Sequence, residues 1–337
     1  MTKVIVMTGG GTGGHLAIIS ALKEELKEHK LIYIGSTNGQ DRAWFEDDDD
    51  FEKRYFFKTR GVTNQSFFGK FASLFDIAKA SKEALKILKE QKGDLVFSVG
   101  GYSSAPCAFA SKISSIPLVI HEQNAITGSL NKILKPHSCA FISSFDDRAI
   151  PYPIKSIFFQ RARVRKNIKS IIFLGGSQGA VAINDFALSI AKNLKEKGIK
   201  IFHQAGEKNI QKVKEEYKKL GVEAEVFGFS KRIVDFMVEA DFAVSRAGAS
   251  TLWELSANGL PTLFVPYPYA FADHQYHNAK FLSDKNLAWV SRESELKAER
   301  LFEIWDDDIS KVSQGLIDFT PKNGSKEIAK ILLKCVD

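Results

Sequence analysis

The sequence predicts an α/β protein built from two Rossmann-like domains, and three observations lead there. A short apolar strand, a glycine-rich loop and a helix open the chain at residues 3–15, and the same device returns at 170–180. A further strand–turn–helix unit, Phe242 to Ala257, follows the second copy. At 337 residues the chain has room for two domains, each with its own core. Units of this kind stack into parallel sheets with helices on both faces.

Residues 3–8 are the first strand, and Gly9-Gly10-Gly11-Thr12-Gly13-Gly14-His15 leads from it into a helix through Leu26. Glycines remove the Cβ atoms that would block close approach, so backbone amides can surround a phosphate. Gly9, Gly11 and Gly14 also satisfy the dinucleotide pattern G-x-G-x-x-G. A dehydrogenase would place an acid at the end of the second strand; here Leu31 to Ile34 ends in Gly35-Ser36-Thr37. The nicotinamide reading falls to second place. Glu46 to Asp50 is an acidic run, read as a solvated loop rather than an Asp-x-Asp metal motif.

Phe67 to Lys92 reads as a helix whose core face is Phe67, Phe71, Leu74, Ala78, Ser81, Leu85 and Leu88. Phe68 and Phe75 lie beside that stripe, with Lys70, Lys79 and Lys82 nearby. An ordinary helix with a wide apolar face and a peripheral membrane contact both fit this pattern. Asp94 to Val99 is a strand ending in Gly100-Gly101-Tyr102-Ser103-Ser104-Ala105-Pro106. Ile116 to Ile120 is another, ending in His121-Glu122-Gln123-Asn124. Open α/β sheets place ligands at such C-terminal strand ends.

Pro151 to Lys155 marks the crossing between domains. Arg161, Arg163, Arg165, Lys166 and Lys169 follow without an acid among them and read as a solvated linker. Ser170 to Leu174 is a strand, and Gly175-Gly176-Ser177-Gln178-Gly179-Ala180 opens the next helix. Ile199 to Gln204 and Val226 to Ser230 supply further strand ends. In Ser245 to Asn278, Ala247-Gly248-Ala249 forms a turn and Ser250 or Thr251 caps the helix Leu252 to Ala257. A strand, a small-residue turn and a helix N-terminus suit an anion. Glu254, one turn into that helix, can accept both hydrogen bonds of a ribose diol. Gly259 and Pro261 end the helix, and Thr262 to Val265 is the strand before a polar loop with Asp273, His274, Gln275 and Asn278. These donors and acceptors suit sugar hydroxyls, so the stretch reads as a sugar-nucleotide pocket. The last helix spans Ser325 to Leu333.

A net charge of +7 and a pI near 9.0 favour anionic partners: nucleotides, phospholipid surfaces or nucleic acid. No stretch has transmembrane length, and the first apolar run is too short for a signal peptide, so a cytosolic protein is expected. Cys107, Cys139 and Cys335 are odd in number and far apart, implying neither a disulfide framework nor a zinc site.

Several of these stretches together resemble the MurG family, bacterial transferases that add N-acetylglucosamine to a lipid-linked muramoyl-pentapeptide. The likeness rests on Gly10 to His15, Gly100 to Pro106, His121 to Asn124 with Asn131, Gly175 to Ala180 with Asn184, and Ser245 to Asn278. It covers essentially the whole chain. It implies the GT-B architecture, two Rossmann-like domains with parallel sheets facing across a cleft. Residues 1–153, with a C-terminal helix 321–337 packed back on them, would bind the acceptor and face the membrane; residues 154–320 would bind UDP-GlcNAc. The implied reaction inverts the sugar: GlcNAc passes from UDP to the 4-hydroxyl of the MurNAc-pentapeptide in undecaprenyl-linked lipid I, giving lipid II. No cofactor is required. The resemblance places acceptor contacts at Gly11, Gly14, His15, Gly101 and Tyr102. It places UDP-GlcNAc contacts at Thr12, Gly13, Gly14, Asn124, Lys155, Ser177, Gln178 and Ser230, and at Arg246, Ala249, Glu254, His274 and Gln275.

Catalysis would fall to His15, with Glu122 as the alternative base; His15 could instead cap its helix or bond the acceptor's phosphate. At residues 152–155 the family has Asn-Pro-Val-Arg, whereas this chain has Tyr152 and Lys155, and lysine offers a point charge without a bidentate fork. The implied partners are UDP-GlcNAc, lipid I and an anionic membrane surface, with no nucleic acid. The implied location is peripheral, on the cytoplasmic face of the bacterial inner membrane. Three alternatives stand beside this reading: a UDP-GlcNAc 2-epimerase-like enzyme, an NAD(P) dehydrogenase and a non-catalytic sugar-nucleotide-binding subunit.

Overall fold

A computed structural model describes residues 1–337 apart from 62–65, 146–149, 177–178 and 231, and apart from the side chains of Phe67, Phe68 and Lys70. The chain divides into two compact units, Met1–Lys155 with Asn323–Asp337, and Ser156–Lys322. The first unit holds strands β1 (Val4–Thr8), β2 (Lys30–Ser36), β3 (Lys53–Phe57), β4 (Leu95–Ser98), β5 (Leu118–Glu122) and β6 (Ala140–Ser143). Its helices are α1 (Gly13–Leu22), α2 (Asp41–Phe45), α3 (Phe67–Glu90), α4 (Ala105–Ser114) and α5 (Ser129–Leu134). The second unit holds β7 (Ser170–Leu174), β8 (Lys200–Gln204), β9 (Glu225–Phe227), β10 (Phe242–Ser245), β11 (Thr262–Phe264) and β12 (Trp289–Val290). Its helices are α6 (Ser156–Gln160), α7 (Val181–Ser189), α8 (Ala191–Glu196), α9 (Ile210–Leu220), α10 (Ile233–Glu239), α11 (Ala249–Ala257), α12 (His274–Ser283), α13 (Ala298–Trp305) and α14 (Ile309–Phe319). The chain then returns to the first unit as α15 (Gly324–Lys334).

Both sheets are parallel and share one topology. Their orders, β3-β2-β1-β4-β5-β6 and β12-β11-β10-β7-β8-β9, are the same doubly wound arrangement. Strands covered on both faces must be apolar throughout, and Ile5–Met7, Leu95–Phe97 and Ile171–Leu174 are each almost wholly buried. Strand order reverses between β1 and β4, and again between β7 and β10. Such a switch point leaves a crevice at the strand C-termini, and all the strand-end motifs lie there.

Four expectations fail locally. In α3 the buried positions are Ser73, Ile77, Ala80, Ser81, Ala84, Ile87 and Leu88, whereas Phe71 is 59% exposed, Leu74 53% and Phe75 72%. Its first half, Phe67 to Ala78, carries only Lys70 and Asp76 as charges, so periodicity there chose the wrong stripe as core. The basic run after Lys155 is no solvated linker. Arg163 donates to the carbonyls of Val238, Glu239 and Ala240 and pairs with Asp241. Arg165, wholly buried, donates to Met237, Ala240 and Arg163 carbonyls and to both oxygens of Asn258. These guanidinium groups satisfy the bare carbonyls at the C-terminus of α10, where the helix dipole also favours cations. The acidic run is partly tied down as well, with Asp48 and Asp50 pairing with Lys23. Finally, Cys139 and Cys335 form a disulfide that joins α15 to the segment before β6, while Cys107 is free and buried.

Candidate active site

In the first unit, two glycine loops interlock across the β1/β4 switch point. Gly11 has φ +80°, and a Cβ there would meet the Tyr102 ring at 2.7 Å. Gly101 has φ +77°, and its Cβ would strike the Gly10 carbonyl at 2.7 Å. Only glycine satisfies both the backbone and the space. Tyr102 closes the contact by donating its hydroxyl to the Asn38 carbonyl, 2.8 Å away.

Asp41, fully buried at the start of α2, holds the first loop from beneath. Its carboxylate accepts the amides of Gly11 (2.6 Å) and Ser36 (2.9 Å) and the hydroxyl of Tyr33 (3.0 Å). The Gly11 amide is thereby committed to the protein, so the loop is a shaped wall rather than a full phosphate cradle. Sequence reasoning missed Asp41, because its spacing from the loop carries no motif.

Helix α1 starts with Thr12 as its N-cap, Gly13 and Gly14 in the first turn, and His15 half-buried behind them. Thr12 Oγ1 lies 3.0 Å from His15 Nδ1, and the Gln123 side-chain nitrogen lies 2.9 Å from His15 Nε2. Strand β5 delivers the neighbouring motif. His121 is fully buried with neither ring nitrogen partnered; burial first, and then charge on His15, push it down to about 3. Glu122, also buried, accepts the amides of Asn124 (3.0 Å) and Gly128 (2.9 Å) and the Asn131 side-chain N–H (2.8 Å). Its carboxylate fastens the loop between β5 and α5, and Asn124 rides on that loop, half-buried. Lys155, half-buried, is the last residue of this unit before the chain crosses.

In the second unit the corresponding crevice lies at β7/β10. Gly175 to Ala180 lead from β7 into α7; Ser177 and Gln178 lie outside the described residues. Asn184 and His203 are buried together, Oδ1 to Nε2 at 2.9 Å. After β10, the turn Ala247-Gly248 enters α11 at Ala249 with Gly248 as N-cap and no side-chain cap. Ser250 and Thr251 thus sit inside the first turn instead of capping it, and Glu254 is half-buried one turn further on. Arg246 donates to the carbonyls of Val265 (3.0 Å) and Pro266 (3.2 Å) and is paired with Glu293. Ser230 accepts the Arg232 amide at 3.1 Å.

His274 and Gln275 belong to helix α12 rather than to a loop. His274 Nδ1 meets the Phe271 carbonyl at 3.0 Å, and Gln275 Oε1 accepts the Tyr267 amide at 3.0 Å. Asn278 donates to the Ala247 carbonyl, pinning α12 to the turn before α11. The entry to α12 is strained: Ala272 and Asp273 both have left-handed φ, +48° and +52°. Arg292 grips Asp273 through two hydrogen bonds of 2.9 and 2.6 Å, which hold the carboxyl below its usual range, and its guanidinium lies 3.9 Å from the Tyr276 ring centre. Arg292, 19 residues downstream, gave no sequence signal.

The first unit's described residues thus gather His15, Gln123, Gly101 and Tyr102, and the second's gather the turn at Gly248, Glu254 and the start of α12. Two such crevices on twin doubly wound sheets define the GT-B fold. Residues 5–138 match the glycosyltransferase family 28 N-terminal domain and residues 170–331 its C-terminal domain. A protein of Sulfurovum sp. is 59% identical over 330 residues, covering 97% of this chain and 98% of its own. A Wolinella succinogenes protein is 49% identical over 333 residues, covering 98% and 99%. Both are named UDP-N-acetylglucosamine–N-acetylmuramyl-(pentapeptide) pyrophosphoryl-undecaprenol N-acetylglucosamine transferase. The crystal structure of Acinetobacter baumannii MurG superposes with a TM-score of 0.78 at 26% identity, covering 99% of this chain and 100% of that one. The chain belongs to this MurG family of glycosyltransferases.

Proposed function

We propose that the protein transfers N-acetylglucosamine from UDP to the 4-hydroxyl of the muramoyl sugar in lipid I, forming lipid II. The observation that carries this reading is near-full-length identity, 49–59%, to relatives bearing that name. In the reaction the acceptor oxygen attacks the anomeric carbon as its proton passes to a base. The bond from that carbon to the UDP oxygen breaks, and its electron pair leaves on the diphosphate.

His15 is the base. Its ring stands in the first turn of α1, 3.0 Å from Thr12 Oγ1, and general-base help of this kind is worth about 10²–10⁴-fold. Glu122 is bound by three donors and serves the loop that carries Asn124. On the donor side, the Gly175–Ala180 loop and the α11 N-terminus meet the diphosphate, whose growing charge they stabilise by preorganised dipoles. Glu254 accepts from the ribose diol, and His274 and Gln275 read the sugar.

The exposed aromatic face of α3 is the membrane contact. Phe71, Leu74 and Phe75 stand exposed beside Lys79 and Lys82, and Ile113 of α4 is 65% exposed. Aromatics of this kind enter the headgroup layer while lysines meet anionic lipid. Among the described residues no helix is long and apolar enough to cross a membrane. The contact in this reading is peripheral, on the cytoplasmic face. The test is UDP release with and without a lipid I analogue. Release that needs the analogue, with a β-linked disaccharide as product, supports the reading. UDP release without acceptor, yielding a free 2-epimerised sugar, refutes it.

A further inference from the structure

The donor side carries one segment that core packing does not hold. Residues 267–272, between β11 and α12, include no buried residue, with Tyr269 82% and Phe271 54% exposed. Polar contacts at the two ends of this loop must fix it instead. At its start the Tyr267 amide donates to Gln275 Oε1, 3.0 Å away. Arg246 spans the Val265 and Pro266 carbonyls there, with its guanidinium 5.5 Å from the Tyr267 ring centre. At its end Ala272 and Asp273 both have left-handed φ, a conformation that aspartate tolerates and alanine avoids. A group outside the loop has to hold that pair.

Arg292 does so from the exit of the edge strand β12. Its fork donates twice to the Asp273 carboxylate, at 2.9 and 2.6 Å, and its face lies 3.9 Å from the Tyr276 ring centre. One planar group thus holds the last residue before α12 and the third residue within it. Lysine cannot do both. The next residue, Glu293, pairs with Arg246, so two consecutive residues after β12 brace both ends of the loop. Aspartate at a helix N-cap ordinarily accepts a first-turn amide, but the Asp273 side chain caps nothing in α12 and is given to Arg292.

The consequence falls on Gln275. A backbone N–H can only donate, so the oxygen of the Gln275 amide must be the atom that faces Tyr267. The amide nitrogen is the end left to donate to a sugar oxygen. His274, its ring tied to the Phe271 carbonyl, stands in the same turn. We propose that Arg292 is a positioning residue for the donor sugar, holding Asp273 and Tyr276 so that His274 and Gln275 are fixed at the entry of α12 before the donor binds. This rests on the proposed reading of the sugar by those two residues.

An entry that is not held would be ordered only as the sugar binds, at about two- to tenfold in affinity for each side chain fixed. The loss falls on the sugar nucleotide and spares UDP, whose ribose is met from α11 in the proposed site. The side chains of Arg292 and Asp273 are both 36% exposed, so loss of the pair should leave the thermal midpoint within a few degrees.

The experiment measures calorimetric affinity for UDP-GlcNAc and for UDP alone, beside kcat and KM for the donor. The variants are Arg292→Met, Arg292→Lys, Asp273→Asn and the double Arg292→Met/Asp273→Asn, with His274→Ala and Gln275→Ala for comparison. For Arg292→Met the expected result is UDP-GlcNAc affinity down about three- to tenfold, UDP affinity within about twofold, and a raised donor KM at near-normal kcat. Arg292→Lys should fall between, and the double variant should lose no more than the worse single, since the two residues act as one. Equal weakening of UDP and UDP-GlcNAc, additive losses in the double variant, or unchanged affinities overturn the inference. So does a selective loss in Arg292→Met that neither His274→Ala nor Gln275→Ala shows, which makes Arg292 itself the sugar contact. Donor affinities that follow the expected pattern without transfer to any acceptor support the inference and overturn the transfer reaction instead. Should Arg292→Met fail to fold, Arg292→Lys and Asp273→Asn decide.

Discussion

Arg165→Met removes the side chain on which three separate segments of the second unit converge. In the fold Arg165 joins the C-terminus of α10, the residue after α11 and the strand entry before β7. Burial, with Arg163 close by, pulls the guanidinium down to about 9, still protonated at neutral pH. Methionine fills similar space but donates nothing. The Ala240 carbonyl keeps Arg163 as a donor, whereas the Ser313 hydroxyl near the Arg163 carbonyl already gives its one proton to Gly259, so the Arg163 carbonyl loses its donor too. The Met237 carbonyl and both Asn258 oxygens lose the donors Arg165 gave them. At about 1–3 kcal/mol for each buried acceptor left unmet, part of it relieved by relaxation, the loss is about 3–5 kcal/mol. Arg165→Lys keeps one charged donor head and should cost roughly half as much. Urea unfolding followed by tryptophan fluorescence suits the question, since Trp253, Trp289 and Trp305 lie in the second unit and Trp44 in the first. A loss below about 1 kcal/mol for Arg165→Met would refute the view that this arginine organises the unit.

Two further outcomes are expected. Glu254→Gln should weaken UDP binding by about tenfold in calorimetry, the scale of one hydrogen bond to a charged acceptor; unchanged affinity removes Glu254 from the ribose. Phe75→Asp should cut binding to anionic vesicles while the thermal midpoint stays within a few degrees, because the ring is 72% exposed and little packing is lost; an unfolded variant, or vesicle binding left intact, would contradict the membrane role of α3.

What could be read from the sequence was local. Strand, glycine loop and helix occur in immediate succession, so the repeat at residues 3–15 and 170–180 revealed twin doubly wound sheets. His121 to Asn124 was recognisable as a strand-end cluster for the same reason. The parts that escaped depend on partners distant in the chain. The basic run at Arg161–Arg165 looks solvated until the carbonyls of α10, some 75 residues on, are brought against it. Asp41 is one acid beside an acidic run, and nothing local says that its carboxylate holds Gly11. The disulfide joins residues 196 apart. Helix α3 failed for a different reason: from Phe67 to Ala78 only Lys70 and Asp76 interrupt the apolar residues, so no unique periodic face stands out there and packing against α4 decides which stripe is core. Gln123 lay within a recognised motif, yet its approach to His15 appears only once α1 places that ring beside it.

The claim that most needs testing is that His15 takes the acceptor's proton. The decisive measurement is kcat at saturating soluble acceptor and donor for His15→Ala beside Glu122→Ala, across pH. The account predicts a fall of about 10²–10⁴-fold for His15→Ala, with the acid limb of the profile lost. For Glu122→Ala it predicts reduced stability and weaker substrate binding, with the acid limb retained, because that carboxylate fastens a loop. A near-normal kcat for His15→Ala, with only a raised KM for the acceptor, would contradict the account and make His15 a binding residue.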